Sequence, residues 1–118
     1  MNIKRLGPTD LAIDLLRRSD CKVRMAAVLS DRHGIYAWGW NHSLGDYSMH
    51  AEMHALSRSN PSRRKDSTIT VAGERAKSGN VVLSRPCEDC LTRLYKCGIM
   101  YMRFQDKEGN WWNEATGA

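Results

Sequence analysis

Two short motifs contain the residues of this chain that are best suited to chemistry. The first is His50-Ala51-Glu52, and the second is Pro86-Cys87-Glu88-Asp89-Cys90. In a reducing compartment, a Cys-x-x-Cys pair is more often a metal or redox site than a structural disulfide. A lone histidine is more often structural, and a lone Cys-x-x-Cys pair is only moderately specific. The combination of the two motifs therefore carries the prediction of a reactive site.

Together the motifs match the His-x-Glu … Pro-Cys-x-x-Cys signature of the zinc deaminases. The chain resembles the cytidine and deoxycytidylate deaminase superfamily over about residues 23–104. The resemblance implies a zinc-dependent hydrolase that converts a cytosine nucleoside or nucleotide to the uracil product and releases ammonia. It also implies that His50, Cys87 and Cys90 bind one Zn²⁺ ion per chain. Glu52 would be the catalytic proton shuttle.

The residue types suit this reaction. Loss of the amine requires water to attack the ring carbon that carries the amino group. Free water is a poor nucleophile, with a pKa of about 15.7, whereas water bound to Zn²⁺ has a pKa of about 7. A catalytic zinc keeps three protein ligands and one open position, and the two motifs supply three. The two thiolates also offset the charge of the ion.

Both motifs are predicted at the starts of helices. Cys87 and Cys90 are three residues apart, so they share one helix face and can bind one ion. The N-terminus of a helix lowers the pKa of a thiol, which favours the thiolate that metals bind. Pro86 suits the position before a helix, where no backbone donor is lost. The spacing and the position both agree with a shared metal site.

Two further residues are candidates for substrate binding. Asn41 follows a predicted strand, where members of the superfamily often carry an Asn that bonds to the sugar or the base. The alternative is an Asn that only starts a loop. Ala51, between His50 and Glu52, resembles the small residue whose backbone faces the base in this family. Tyr47 lies in the segment that leads to the first motif, and it is the aromatic residue to test first as a pocket wall.

The elements that position these residues alternate between helices and strands. Hydrophobic periodicity predicts helices over residues 9–18, 49–59 and 87–97. Strands are predicted over residues 23–30, 35–40, 67–72 and 99–104, with a last short strand from 111. Loops are predicted over residues 41–48 and 73–80, and residues 81–83 extend or follow the third strand. The last two strands should be antiparallel, because the connection between them is too short for a helix.

This order indicates an α/β fold with helices that cover a sheet. The resemblance makes it a three-layer α-β-α cytidine-deaminase-like fold, with a mixed sheet of about five strands and helices on both faces. Trp38 and Trp40 alternate on one strand, which favours packing beneath a helix over stacking on bases. Cys21 and Cys97 are isolated in the sequence, and we expect both to be small buried residues.

The composition and length are typical of a single soluble domain. The 118 residues are 26% charged, and we expect one zinc-dependent deaminase domain over residues 1–118. No apolar run reaches the roughly 20 residues that span a bilayer. The first residues lack the apolar stretch of a secretory signal. We therefore expect a cytoplasmic protein that does not contact membranes.

Other kinds of site fit the motifs less well. A zinc protease helix needs Glu directly after its first His, and this chain has Ala51 there. A structural zinc site needs a fourth protein ligand, and none is obvious near either motif. A thioredoxin-like redox pair leaves His50-Ala51-Glu52 unexplained. A non-catalytic protein that kept the fold is a further alternative, although it would not need Glu52.

The sequence leaves the substrate open. The net charge of +5 favours an anionic partner such as a nucleotide or a nucleic acid, although the densest basic cluster, residues 58–65, has the composition of a solvated loop. A histidine as first ligand resembles the deoxycytidylate, tRNA and polynucleotide branches, whereas a final hairpin resembles the free-nucleoside branch. We expect a small nucleoside or nucleotide substrate, with cytosine or adenine in single-stranded DNA or RNA as the alternative. Relatives of this size also imply a homo-oligomer.

Overall fold

In a computed structural model, residues 7–117 of the chain are described. Residues 1–6, where we expect no secretory signal, and residue 118 lie outside this range. Within it, the α-helices span Pro8–Leu15 (α1), Ala51–Ser57 (α2) and Glu88–Lys96 (α3). The β-strands span Val23–Asp31 (β1), Gly34–Trp40 (β2), His42–Leu44 (β3), Tyr47–Met49 (β4), Ser67–Arg75 (β5), Ile99–Gln105 (β6) and Trp111–Ala115 (β7). Short 3-10 turns occupy Leu16–Arg18 and Pro61–Arg63.

In the described part of the chain, five strands form one mixed sheet in the order β2-β1-β5-β6-β7. β1 is antiparallel to β2 and to β5, and β6 is antiparallel to β7 as predicted. β5 and β6 are parallel, so the chain must cross over between them, and α3 lies in that crossover. β3 and β4 pair with each other in a separate small hairpin.

Helices cover both faces of the sheet, which confirms the predicted three-layer α/β fold. On one face, α1 packs on a core made of Ala12, Leu15, Leu16, Ala26, Val28 and Ala72. On the other face, α2 and α3 pack on a larger core made of Ala27, Leu29, Ala37, Ala51, Ala55, Ile69, Val71, Leu91, Leu94, Ile99, Met102 and Phe104. Residues 26–29 of β1 are all buried, as expected for a central strand that is covered on both sides.

The backbones of β2 and α2 approach each other closely at Gly39. A Cβ atom on Gly39 would lie 2.4 Å from the amide nitrogen of Ala55 and 2.8 Å from the Cβ of His54. Next to this contact, the backbone N–H of Trp40 donates a hydrogen bond to His54 Nδ1 at 3.2 Å. The absence of a side chain at Gly39 therefore sets the distance between the sheet and α2, the helix that carries Glu52.

The segment before α2 differs from its prediction. Residues 41–48, predicted as a loop, contain β3 and most of β4, with Gly45 at φ +75° in the turn between the strands. The helix predicted from residue 49 begins at Ala51, because Met49 belongs to β4. Both errors have one cause, since strands of three residues are too short for a clear periodic pattern.

Other boundaries and burial predictions also need correction. The helix predicted over residues 9–18 is α-helical only to Leu15, and residues 81–83 form no strand beyond a single bridge between Val81 and Glu74. The Trp38 side chain is 37% exposed and lies beside Arg58 instead of beneath a helix. Cys21 and Cys97 are only partly buried.

The longest described helix, α3, has nine residues. A helix needs roughly 20 residues to cross a bilayer. None of the helices in residues 7–117 could therefore span a membrane.

Candidate active site

The two motifs meet where α2 and α3 begin. His50 is the N-cap residue of α2 and Cys87 is the N-cap residue of α3, and neither side chain caps its own helix. The side chains approach each other instead. His50 Nδ1 lies 3.9 Å from Cys87 Sγ and 3.3 Å from Cys90 Sγ. The structure thus brings His50 next to two cysteines that lie 37 and 40 residues further along the sequence.

The geometry of this cluster fits a zinc ion. The donor atoms of His50, Cys87 and Cys90 all lie within 4.8 Å of one another. A tetrahedral zinc, with Zn–S of about 2.3 Å and Zn–N of about 2.0 Å, separates neighbouring N and S donors by about 3.6 Å. The observed distances of 3.3 and 3.9 Å lie on either side of this value. Among the described residues, no fourth His, Cys or carboxylate joins the cluster, which is the arrangement of an open, catalytic site.

The electrostatics of Cys90 also fit a cation. Burial raises the pKa of the Cys90 thiol above its ordinary value, and the nearby Glu52 carboxylate and Cys87 raise it further. A thiol in this environment ionises only if a positive charge is placed beside it. A divalent ion bound by both thiols supplies that charge.

Glu52 lies beside the cluster without joining it. It is in the first turn of α2, and only 5% of the residue is exposed. Burial raises the pKa of its carboxyl, an effect opposed by the backbone N–H of Glu52 and by the charge of His50. The carboxyl group thus combines shielding from bulk solvent with a position next to the donor atoms. This combination is what a proton-transferring residue requires.

A cavity of about 210 Å³ opens beside the donor cluster. Its walls contain five of the residues that the sequence singled out and three that it did not. The lining residues are Met25, Asn41, Ser48, His50, Ala51, Glu52, Arg85 and Cys87. Cys90 lies on the far side of the cluster and lines a neighbouring groove of about 350 Å³. A small ligand in the cavity would therefore contact both motifs.

Asn41 lines the cavity, but most of its amide group is bonded within the protein. Its Oδ1 accepts hydrogen bonds from the Met25 N–H at 2.8 Å and from the Ser19 hydroxyl at 2.5 Å. Its Nδ2 donates to the Val23 carbonyl at 2.8 Å. Since an amide NH₂ has two hydrogens, one N–H of Asn41 remains for a ligand. Asn41 thus fixes the start of β1 beside the cavity.

The cavity is lined by residues that the sequence did not indicate, and one residue that the sequence did indicate lies outside it. Arg85 and Ser48 line the cavity, and only their closeness to the two motifs could have suggested them. Tyr47, the aromatic candidate for a pocket wall, is 69% exposed and lines the neighbouring groove with Met53 and Arg93. The rim of the site is therefore more polar than the sequence suggests.

Comparisons with known proteins agree on the fold. The chain is similar to the cytidine deaminase from Burkholderia pseudomallei, with 18% identity and a TM-score of 0.71, over 93% of this chain and 91% of that chain. It is also similar to the cytidine deaminase from Mycobacterium leprae, with 16% identity and a TM-score of 0.61, over 92% and 90% of the two chains. The apo dCMP deaminase from the cyanophage S-TIM5 matches with 20% identity and a TM-score of 0.57, over 79% and 75%.

At these identities, the structural likeness shows the fold alone. Comparison with curated protein sequences gives no match. The family comparison is more specific, because residues 8–105 match the model described as the cytidine and deoxycytidylate deaminase zinc-binding region. This match extends from the start of α1 to the end of β6 and includes both motifs. The chain therefore belongs to the cytidine and deoxycytidylate deaminase family.

Proposed function

We propose that the protein is a zinc-dependent hydrolase that deaminates a cytosine nucleoside or nucleotide to the uracil product and releases ammonia. One observation carries the proposal: an imidazole and two thiols converge within 4.8 Å beside a buried glutamate. Membership of the deaminase family supports it. The similar structures, which are named as deaminases of cytidine and of dCMP, support cytosine as the base.

His50 would hold one zinc ion per chain through Nδ1, and Cys87 and Cys90 would hold it through their sulfurs. When bound, the ion supplies hydroxide at neutral pH, since it lowers the pKa of water to about 7. The protein contributes the three donors, their fixed spacing at two helix starts, and the cavity that admits the base.

Glu52 would transfer the protons of the reaction. Its carboxylate takes a proton from the attacking water and gives it to the ring nitrogen beside the reacting carbon. It then moves the proton of the new hydroxyl group to the amine, which leaves as ammonia while the carbonyl forms. One water is consumed, one C–N bond breaks, and Glu52 ends in its starting state. Its burial keeps these protons from exchanging with bulk solvent.

Substrate binding would use the backbone at Ala51 and the remaining N–H of Asn41. Ala51 is fully buried between His50 and Glu52, so its main chain forms part of the cavity floor. Asn41 lines the same cavity, and its remaining N–H would be a single donor for the base or the sugar.

A substrate panel tests the proposal. Zinc-loaded protein is assayed for ammonia release from cytidine, deoxycytidine, deoxycytidylate and adenosine, and a cytosine-containing oligonucleotide is read for uracil. We expect turnover of at least one cytosine monomer and none of adenosine. Turnover of the oligonucleotide alone would favour the nucleic-acid alternative. If protein with one zinc per chain turns over no substrate, the proposed activity is wrong.

A further inference from the structure

We infer that Arg85 is a specificity-determining residue that binds a phosphate group of the substrate. The inference rests on the proposed function and narrows its substrate class to cytosine compounds that carry a phosphate on the sugar. Two sources share this chemistry, namely the phosphate monoester of a free nucleotide and the phosphodiester of a nucleic acid.

The first observation is the position of Arg85. It lies shortly before Cys87 in the sequence, and it lines the same cavity as His50 and Glu52. It also lines an adjoining groove of about 300 Å³, whose other charged lining residues are Glu88 and Lys96. Arg85 therefore borders both the cavity and this groove, and we place the sugar and phosphate of a bound nucleotide along this border.

The second observation is the charge of the cavity. Among the described residues that line it, Arg85 has the only permanently charged basic side chain. The other ionisable groups that line it are the Cys87 thiol, the Glu52 carboxyl and the His50 imidazole, and none of these carries a permanent positive charge. A phosphate-bearing substrate would thus depend on Arg85 for its compensating charge.

The third observation is that the guanidinium is available. Its Nε donates to Glu114 Oε2 at 3.2 Å, and the two side chains are 38% and 44% exposed. No hydrogen bond from its terminal nitrogens is formed to any of the residues described. Ion pairs with this exposure contribute little to stability, so a ligand can replace Glu114 at low cost. The planar fork of arginine matches phosphate oxygens through two parallel hydrogen bonds.

The test compares two variants that break the same ion pair. Arg85→Gln removes the guanidinium, whereas Glu114→Gln breaks the pair and leaves the guanidinium in place. We expect Arg85→Gln to raise KM for deoxycytidylate by about tenfold or more, as for loss of a charge-assisted hydrogen bond. Its KM for deoxycytidine should change less than about twofold. Glu114→Gln should leave KM for deoxycytidylate unchanged or lower it, because it removes a competing anion.

Other outcomes overturn the inference. One is that Arg85→Gln raises KM equally for deoxycytidylate and deoxycytidine, and another is that Glu114→Gln raises KM for deoxycytidylate as much as Arg85→Gln does. In either case Arg85 acts only by holding the segment before α3 to β7. An Arg85 effect seen with a cytosine oligonucleotide and not with deoxycytidylate supports phosphate binding and assigns it to the diester. An effect with deoxycytidylate alone assigns it to the monoester.

A binding measurement separates this inference from the proposed function. Calorimetry on the Glu52→Gln protein, with and without Arg85→Gln, compares deoxycytidylate with deoxycytidine in the absence of turnover. Preferred binding of deoxycytidylate that depends on Arg85 supports the inference, even if the panel shows no activity. Turnover of cytosine monomers without such a preference supports the proposed function and contradicts the inference.

Discussion

The two ends of the central sheet satisfy their polar side chains in different ways. At the site end, His50 and Cys87 occupy helix N-cap positions without capping, and their donor atoms face each other. At the opposite end, the β1–β2 turn meets the 3-10 turn Pro61–Arg63, and the side chains are paired within the chain. Arg63 binds Asp31 through two hydrogen bonds of 2.7 and 2.8 Å, and Asn60 caps its turn by accepting from the Ser62 N–H.

The difference indicates which end is suited to bind a ligand. A side-chain N-cap ordinarily stabilises a helix by about 1 kcal/mol, and both helices at the site forgo it. Their side chains instead place metal-binding atoms next to each other, 3.3 and 3.9 Å from His50 Nδ1 to the two sulfurs. The paired end also contains a groove of about 480 Å³, larger than the site cavity, but it has no cluster of metal donors among its described residues. Donor chemistry therefore identifies the site, and cavity size does not.

The largest expected effect is on turnover at the site end. Glu52→Gln keeps the shape of the side chain and removes its ability to transfer protons. We expect kcat to fall by a factor of about 10²–10⁴ or more. Elemental analysis should still find one zinc per chain, because Glu52 is outside the donor cluster. Glu108→Gln, at an exposed position in the β6–β7 turn, is the matched control and should leave kcat unchanged. Normal turnover by Glu52→Gln would remove Glu52 from its role.

Metal removal should affect the two ends unequally. A chelator should abolish activity, with recovery when zinc is added. Hydrogen exchange should then speed up at the starts of α2 and α3 more than around Asp31 and Arg63, since only the site end loses contacts. Exchange measured by mass spectrometry with and without zinc gives this comparison. Equal loss of protection at both ends, or none, would contradict the proposed difference between them.

Substitution of single cysteines tests the same comparison, because Cys87 and Cys90 lie in the donor cluster and Cys97 does not. Cys90 is 2% exposed, whereas Cys87 is exposed. Cys90→Ser and Cys87→Ser should each lose stoichiometric zinc, as measured by elemental analysis. Cys97→Ser is the control, because it changes a cysteine outside the cluster, and it should keep its metal. Retention of full zinc by Cys90→Ser would contradict the donor assignment.

The smallest expected effect is at the paired end and depends on pH. The hydrogen bonds from Arg63 lower the pKa of Asp31 from an ordinary 3.8 to about 2. A carboxylate with a depressed pKa stabilises the folded state above its unfolded pKa and loses this effect as pH falls. The difference in the free energy of unfolding between wild type and Asp31→Asn should thus be constant above about pH 5 and shrink between about pH 4 and pH 2.

Urea unfolding of both proteins at several pH values measures this difference. Asp46→Asn, in the exposed β3–β4 turn, is the control for the loss of one surface carboxylate. The kcat of Asp31→Asn at neutral pH should match that of wild type, since Asp31 lies at the end of the sheet away from the donors. A large drop in kcat would contradict the independence of the two ends.

The residues of the two motifs were easier to predict from the sequence than the residues that surround them. The donor residues could be recognised because few residue types bind zinc, and their spacing is fixed by the helix starts. The β1–β2 hairpin was also predictable, since an apolar run ends at the turn Asp31-Arg32-His33-Gly34. The homo-oligomer and the single-domain boundaries stay predictions.

The surroundings of the two motifs could not be predicted because they depend on contacts between distant segments. Trp38 is exposed since α2 covers Ala37 and leaves the neighbouring side chain uncovered. Only its closeness to the second motif distinguishes Arg85 from the other arginines in the sequence, and its contact with Glu114 on the last strand becomes visible only in the structure. β3 and β4 are too short to show alternation, and the Ser residues of the strands and the Gly45-Asp46 turn between them are typical of loops.

The close approach at Gly39 has a consequence for how this protein can vary. Because the main chains of β2 and α2 touch there, even a methyl group would push α2, the helix that carries Glu52, away from β2. This contact can accept almost no change at Gly39, whereas residues 43–48 of the β3–β4 hairpin are all exposed. Efforts to redirect the protein to other bases should therefore diversify the hairpin and leave the glycine untouched.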